Sequence, residues 1–294
     1  MNVVRVDATG ASPYPLTSPP SALPGLRLWW LGQAGFALEA AGVRILIDPY
    51  LSDSLAAKYR GAFFPHKRMH PVPIDPTAIR GVSAVLHTHA HTDHLDPWTV
   101  RDLLVRNSPS FVAPEARRIV AIERGVPEDS LIGAVAGDAI DLPGVAIQVV
   151  PAAHETRERD EAGRDAFLGY VLELGGVRLY HSGDCVPYEG QAELLRELNV
   201  DLALLPVNGR DAHRTENGVP GNFTVEEAVA LCDAAGIPAL VGHHIGLFDF
   251  NTVGVDEAEQ RLARAGGSVR WMLPQLGAGY SVKATDREES DVHA

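Results

Sequence analysis

The chain has 294 residues, 46% of them hydrophobic and 21% charged, which supplies a full globular core and excludes an intrinsically disordered chain. Lysine and arginine number 25 against 38 aspartates and glutamates, and the formal charge of -13 argues against a nucleic-acid binder or a polybasic membrane-surface protein, since both set cations against phosphate. The start lacks a secretory pattern, no stretch approaches the roughly 18 apolar residues of a membrane span, and Cys185 and Cys232 cannot staple a chain of this size. A cytoplasmic protein with reduced thiols is expected, with no membrane or nucleic-acid partner.

Residues 1–25 form a Pro-rich arm, expected to lie extended on the surface, with the fold proper starting after it. Three short apolar or alternating runs follow at Leu26–Leu31, Phe36–Glu39 and Val43–Asp48, separated by glycine-containing turns as in an antiparallel meander. After an irregular stretch, Val82–Thr88 reads as a buried strand that ends in histidines. Further strands are predicted at Ser110–Ala113, Val145–Pro151, Phe167–Leu174, Val177–His181, Asp201–Val207, Ala239–Gly242, Val269–Leu273 and Gly279–Val282. Helical patterns lie between them at Pro97–Val105, Pro114–Arg124, Gln191–Leu198, Val225–Ala235 and Asp256–Ala265. Thr224 with Glu227 forms a capping-box pattern, and Pro97 and Pro114 suit first helical positions. No linker or repeat divides this α/β chain, so residues 1–294 are expected to form one domain with a frayed, acid-rich tail at 285–294.

The chemistry concentrates in His89-x-His91-x-Asp93-His94, four potential metal donors in six residues on the loop leaving a buried strand. Imidazole and carboxylate together suit zinc, manganese or iron. A single buried histidine is more often a hydrogen-bonded core residue than a ligand, but a cluster this dense would leave several polar rings to satisfy in one place.

This cluster resembles the signature of the metallo-β-lactamase superfamily, and other matches follow in the family's order: Pro151-Ala152-Ala153-His154, His181-Ser182-Gly183-Asp184 and Val241-Gly242-His243-His244. The resemblance covers about residues 26–282 and implies an αββα sandwich of two mixed β-sheets flanked by helices. It also implies that His89, His91 and His154 hold one divalent ion and Asp93, His94 and His243 a second, with Asp184 bridging them. His243 is preferred to His244 because it sits one residue past the apolar strand end, while His244 is a candidate for orientation or substrate contact. His181 reads as a supporting residue, His87 as a side chain directed at the same cavity, and Cys185 as a small buried residue. The implied activity is hydrolysis by a metal-bound hydroxide, with Asp93 and Asp184 as catalytic carboxylates. Two dications set against two carboxylates and a hydroxide leave the site slightly positive, favouring an anionic substrate.

Trp29-Trp30-Leu31-Gly32-Gln33-Ala34-Gly35-Phe36, His181-Ser182-Gly183-Asp184 and Pro206-Val207-Asn208-Gly209-Arg210 further resemble the L-ascorbate-6-phosphate lactonase branch. That resemblance implies a small sugar-phosphate lactone as substrate and manganese or zinc as cofactor, with iron also acceptable. The stretch between Asp53 and Asp75 carries Lys58, Arg60, His66, Lys67 and Arg68 and no acidic residue, and it reads equally as a phosphate-binding lid and as a solvated loop. Asn208, Arg210, Arg214 and Asn222 are further polar candidates, and an oligomer contact through Phe63-Phe64-Pro65 is open. The competing readings are a small-molecule phosphodiesterase or nuclease sharing these ligands, and a di-iron redox protein. The latter would carry glutamate where this chain has His91 and would need an appended flavin domain.

Overall fold

The computed structural model describes the backbone of residues 5–8 and residues 15–283 in full. The expected tail at 285–294 and the first part of the arm lie outside the described residues. In chain order the strands are β1 (Arg5–Ala8), β2 (Leu26–Gly32), β3 (Gly35–Ala40), β4 (Val43–Ile47), β5 (Ala84–Leu86), β6 (Ser110–Pro114), β7 (Leu131–Ala134), β8 (Ala139–Leu142), β9 (Val145–Pro151), β10 (Leu168–Leu174), β11 (Val177–His181), β12 (Leu202–Pro206), β13 (Ala239–His243), β14 (Arg270–Met272) and β15 (Gly279–Lys283). They form two mixed sheets, ordered β1-β15-β2-β3-β4-β5-β6-β7 and β14-β13-β12-β11-β10-β9-β8. The helices are α1 (Ser54–Lys58), α2 (Pro97–Leu103), α3 (Arg118–Glu123), α4 (Gln191–Glu197), α5 (Ala212–Glu216), α6 (Val225–Ala235) and α7 (Val255–Ala265). None of them is long and apolar enough to cross a membrane.

Strand alternation decides which side chains meet. Leu28 and Trp30 of β2, Phe36 and Leu38 of β3, Ile45 and Ile47 of β4 and Leu86 of β5 all enter the core shared with the second sheet, where Ile147, Tyr170 and Leu172 lie. The intervening Trp29, Leu31, Ala37, Leu46 and Val85 face the other way, onto Val100 and Leu103 of α2 and Ala121 of α3. On the second sheet α6 and α7 pack outside, and α6 begins with the expected capping box: Thr224 Oγ1 accepts from Glu227 N, and Glu227 Oε2 accepts from Thr224 N. The αββα sandwich is therefore the architecture, and both sheets present their strand ends to one edge.

The expectation that the fold starts after residue 25 is corrected, because β1 pairs antiparallel with β15 and so belongs to the first sheet. The described part of the arm is also anchored. Leu16 is fully buried, and the carbonyls of Leu16 and Ser18 accept from Arg44 Nη1. Arg44 itself lies in β4 opposite Glu39 of β3, pairs with its carboxylate, and also donates to the Arg80 carbonyl. Strands β7 and β8 and helices α1 and α5 were not expected from the sequence, and the predicted helix at Pro114–Arg124 begins as a 3-10 turn over Glu115–Arg117. Removing one partner of a buried ion pair strands the other charge, at a cost of about 3–5 kcal/mol. Arg44→Ala should therefore lower unfolding stability by about that amount in denaturant titration; a loss below about 1 kcal/mol would show that the pair does not tie the arm to the sheet.

Candidate metal centre

Four strand ends converge on the site. The loop after β5 carries His87 to His94, β9 leads to His154, β11 leads to Asp184, and β13 ends at His243 with His244 just beyond. Donor atoms of His89, His91 and Asp184 lie within 4.8 Å of one another, and so do those of Asp93, His94 and His244. Asp184 links the groups: its Oδ1 lies 3.2 Å from both His94 Nε2 and His244 Nε2, while Oδ2 faces His154 Nε2 at 3.7 Å. His154 also packs against His89 and His91, with ring centroids 5.8 and 5.2 Å away. Phe167 closes this side, 4.9 Å from the His89 ring and 5.4 Å from His154.

The placement of His243 is a correction. As the last residue of β13, paired with Pro206 of β12, it keeps the strand alternation and turns into the core, stacked on His181 at 5.1 Å and edge-on to Phe36 at 5.5 Å. His244 takes a left-handed backbone with φ 63°, held by a hydrogen bond from its N–H to the Gln33 carbonyl at 3.0 Å. That reversal aims His244, rather than its neighbour, at Asp93 and Asp184. His87 is corrected too: it does not line the cavity, but donates from Nδ1 to the His94 carbonyl at 2.7 Å and stacks on Phe111. His181 behaves as expected of a supporting residue, accepting the Gly183 N–H and bonding the Ala34 carbonyl. Cys185 is buried in the core, its thiol pushed up to about 12 by desolvation.

Two supporting residues escaped the sequence reading. Asp48, fully buried just beyond β4, accepts from Thr88 N and Thr88 Oγ1 and takes the His94 Nδ1–H at 2.7 Å, which turns His94 Nε2 toward Asp184. Gln33, in the β2–β3 turn, donates from Nε2 to Asp93 Oδ2 at 2.8 Å and lies 2.9 Å from His244 Nε2. A polar residue after an apolar run was the only signal for Asp48. Gly183 completes the frame: at φ +61° a Cβ there would sit 2.4 Å from Thr88 Oγ1, so only glycine lets the Asp184 loop approach the histidine loop this closely. Arg124 ties the histidine loop from the other side, donating to the carbonyls of Ala90 and Leu95.

The electrostatics suit cations. His94 is opposed by burial, yet the carboxylates of Asp184, Asp48 and Asp93 hold its pKa well above the ordinary value. For Asp184 burial works to raise the pKa, and the imidazoles of His244 and His94 overcome it, leaving the carboxyl well below its usual range. Burial drives His89 well below the usual imidazole value and His154 to about 4, so both offer neutral nitrogens. His89 Nε2, His94 Nε2 and Asp184 Oδ1 are buried without an aligned hydrogen bond, as are both ring nitrogens of His243, whose ring stacks on His181 instead of joining either donor group. Inward-facing imidazole nitrogens and carboxylates without partners fit divalent ions of the zinc, manganese or iron type.

Above the donors lies a cavity of about 370 Å³, lined on its floor by His91, Asp93, His154 and Asp184. Most of the residues expected to bind phosphate do not line it. Arg60 and Lys67 are exposed elsewhere. Arg68 turns inward, donating to the Ser52 and Tyr50 carbonyls over the Tyr50 ring. Arg210 is held by Glu227 and the Asn222 carbonyl, and Asn208 bonds Asn251 and Asn222. Arg214 is spent on Asp211, Asn251 and the Asn208 carbonyl. Of the basic stretch, Lys58 and His66 reach the cavity. Partners that orient a metal-binding histidine are typically worth about 10–100-fold in metal affinity. Asp48→Asn is accordingly expected to weaken divalent-ion binding by about that factor in a metal titration, with the circular dichroism spectrum unchanged; undiminished affinity would remove Asp48 from the account.

Known proteins share this frame. A protein of Myxococcus xanthus named a metal-dependent hydrolase is 28% identical over 257 residues, covering 85% of this chain and 81% of its own length. Among solved structures, a metallo hydrolase of the archaeon Ignicoccus hospitalis superposes with TM-score 0.60 at 22% identity, covering 90% of this chain and 99% of that one. An isothiocyanate hydrolase from Delia radicum gut bacteria gives 0.67 at 19%, covering 86% and 97%. Residues 43–245, which carry the histidine loop, His154, Asp184 and His244, match the model of the beta-lactamase superfamily domain, and the chain belongs to that family.

Proposed function

We propose that this protein is a metal-dependent hydrolase of small carboxylic esters or lactones, with two divalent ions as cofactor. One group is His89, His91 and His154, the other Asp93, His94 and His244, and Asp184 is shared between them. The observation that carries this reading is the pair of donor groups meeting at one buried carboxylate on the floor of a cavity large enough for a small substrate. Relatives named metal-dependent hydrolases lend it support.

Bound divalent ions supply Lewis acidity and bring the pKa of water to about 7. The chain's own residues do the rest. In the reaction water adds to the acyl carbon and the acyl C–O bond breaks, giving a carboxylic acid and an alcohol from an ester, or one hydroxy acid from a lactone. Asp184 lies between the two groups, while Phe167 packs against the rings of His89, His91 and His154. Asp93 borders the cavity, its side chain is 17% exposed, and Gln33 fixes one of its oxygens. That position suits a carboxylate that passes a proton to the departing oxygen.

For the narrower sugar-phosphate lactone reading, Arg60, Lys67, Arg68 and Arg210 lie away from the cavity or are already paired, and of the basic stretch Lys58 and His66 border it. Lactone or ester chemistry itself does not depend on them. The test is hydrolysis of a panel containing a simple lactone, a carboxylic ester, a sugar-phosphate lactone and a phosphodiester, before and after chelation. We expect turnover of the ester or lactone that falls at least about 100-fold on chelation and in Asp184→Asn. Turnover of the phosphodiester alone, or activity that survives both treatments, would overturn the proposal.

A further inference from the structure

The cavity lining is chemically of two kinds. Besides the carboxylates and histidines it includes Tyr59, Phe63, Phe64 and His66, from the segment following α1, and Phe248 and Phe250, from the loop beyond β13. These rings hold one another in place. Phe64 stacks on Phe250 with centroids 4.4 Å apart and planes 18° from parallel, Tyr59 stacks on His66 at 4.2 Å, and His66 meets Phe248 and Phe250 edge-on at 5.1 and 4.8 Å. Phe248 and Phe250 are themselves nearly parallel, 9° apart. The wall is thus preformed by segments distant in sequence, and at its mouth Phe63 remains 75% exposed.

We propose that this wall is a subsite for an aromatic ring, and that the substrate is an aryl-alkyl ester or lactone whose ring packs against Phe63 and the open side of the Phe64–Phe250 stack while its carbonyl reaches the donor groups around Asp184. The proposal rests on the hydrolase reading above and names the substrate class for it. Two considerations favour an aryl group over a purely aliphatic one. Flat ring faces attract another ring beyond what apolar area alone provides. The volume, about 370 Å³, accommodates one ring with a short ester.

The experiment uses the metal-loaded protein. Values of kcat/KM are compared for ethyl phenylacetate, benzyl acetate, ethyl cyclohexylacetate and ethyl acetate, and binding of phenylacetate is followed separately by saturation-transfer NMR. We expect at least one aryl ester to exceed ethyl acetate by about 50-fold and its cyclohexyl counterpart by about fivefold. The aryl-to-acetate ratio should fall about tenfold in Phe250→Ala, and phenylacetate binding should weaken in parallel. Phe250→Leu keeps the site apolar but removes the flat face, so it should lower the aryl-to-cyclohexyl ratio, and thermal unfolding of each variant excludes misfolding as the cause. Equal rates for phenyl and cyclohexyl esters, or phenylacetate binding insensitive to both substitutions, would overturn the subsite. If no ester is cleaved while phenylacetate binds in a Phe250-dependent way, the hydrolase reading fails and the subsite stands.

Discussion

A carboxylate taken out of water has to be repaid by nearby positive charge or by hydrogen bonds, and Asp184 meets that condition with imidazoles on both sides. One oxygen faces His94 and His244, the other faces His154, and the side chain is only 6% exposed. Everything else near the site follows from keeping this group in place. Gly183 gives the loop room to approach Thr88, His181 accepts the Gly183 N–H, and Asp48 fixes both Thr88 and the outer nitrogen of His94. The result is a set of neutral and charged donors aimed at common points, which carbon and water cannot satisfy as well as a divalent ion.

The scaffold makes this precision possible by spending buried polar groups in pairs. Asp96 caps α2 through the N–H groups of Trp98 and Thr99 and takes the hydroxyls of Ser52 and Ser54, so the histidine loop and the segment leading to the cavity wall move as one piece. Arg124 and Asp48 restrain the same loop from opposite ends. Sites held by strand ends and hydrogen-bonded supports keep the small tolerances that catalysis and metal selection demand.

Much of this was readable in the sequence where local pattern governs. The histidine motif declares itself because its donors are adjacent in the chain; strand and helix patterns gave a mixed α/β chain, and the sandwich came from the resemblance that the motif carries. Legibility stopped where direction is set by distant contacts. His243 and His244 are neighbours of the same type, and the choice between them depends on a left-handed residue pinned by the Gln33 carbonyl. The basic stretch was visible as charge, but Arg68 is turned inward by the Ser52 and Tyr50 carbonyls and the Tyr50 ring, contacts distant from it in sequence, while Arg60 and Lys67 stay exposed. Strand β8 is half exposed and four residues long, β7 carries a glycine, and α1 and α5 span five residues each, so none has a period long enough to detect.

The most direct test of the central claim is the number of divalent ions bound per chain, measured by native mass spectrometry on the wild type, His243→Ala and His244→Ala. The account predicts two ions in the wild type, two in His243→Ala and one in His244→Ala. Two ions in His244→Ala with one in His243→Ala would contradict the geometry of the β13 end, and no bound ion in the wild type after reconstitution would contradict the metal centre altogether.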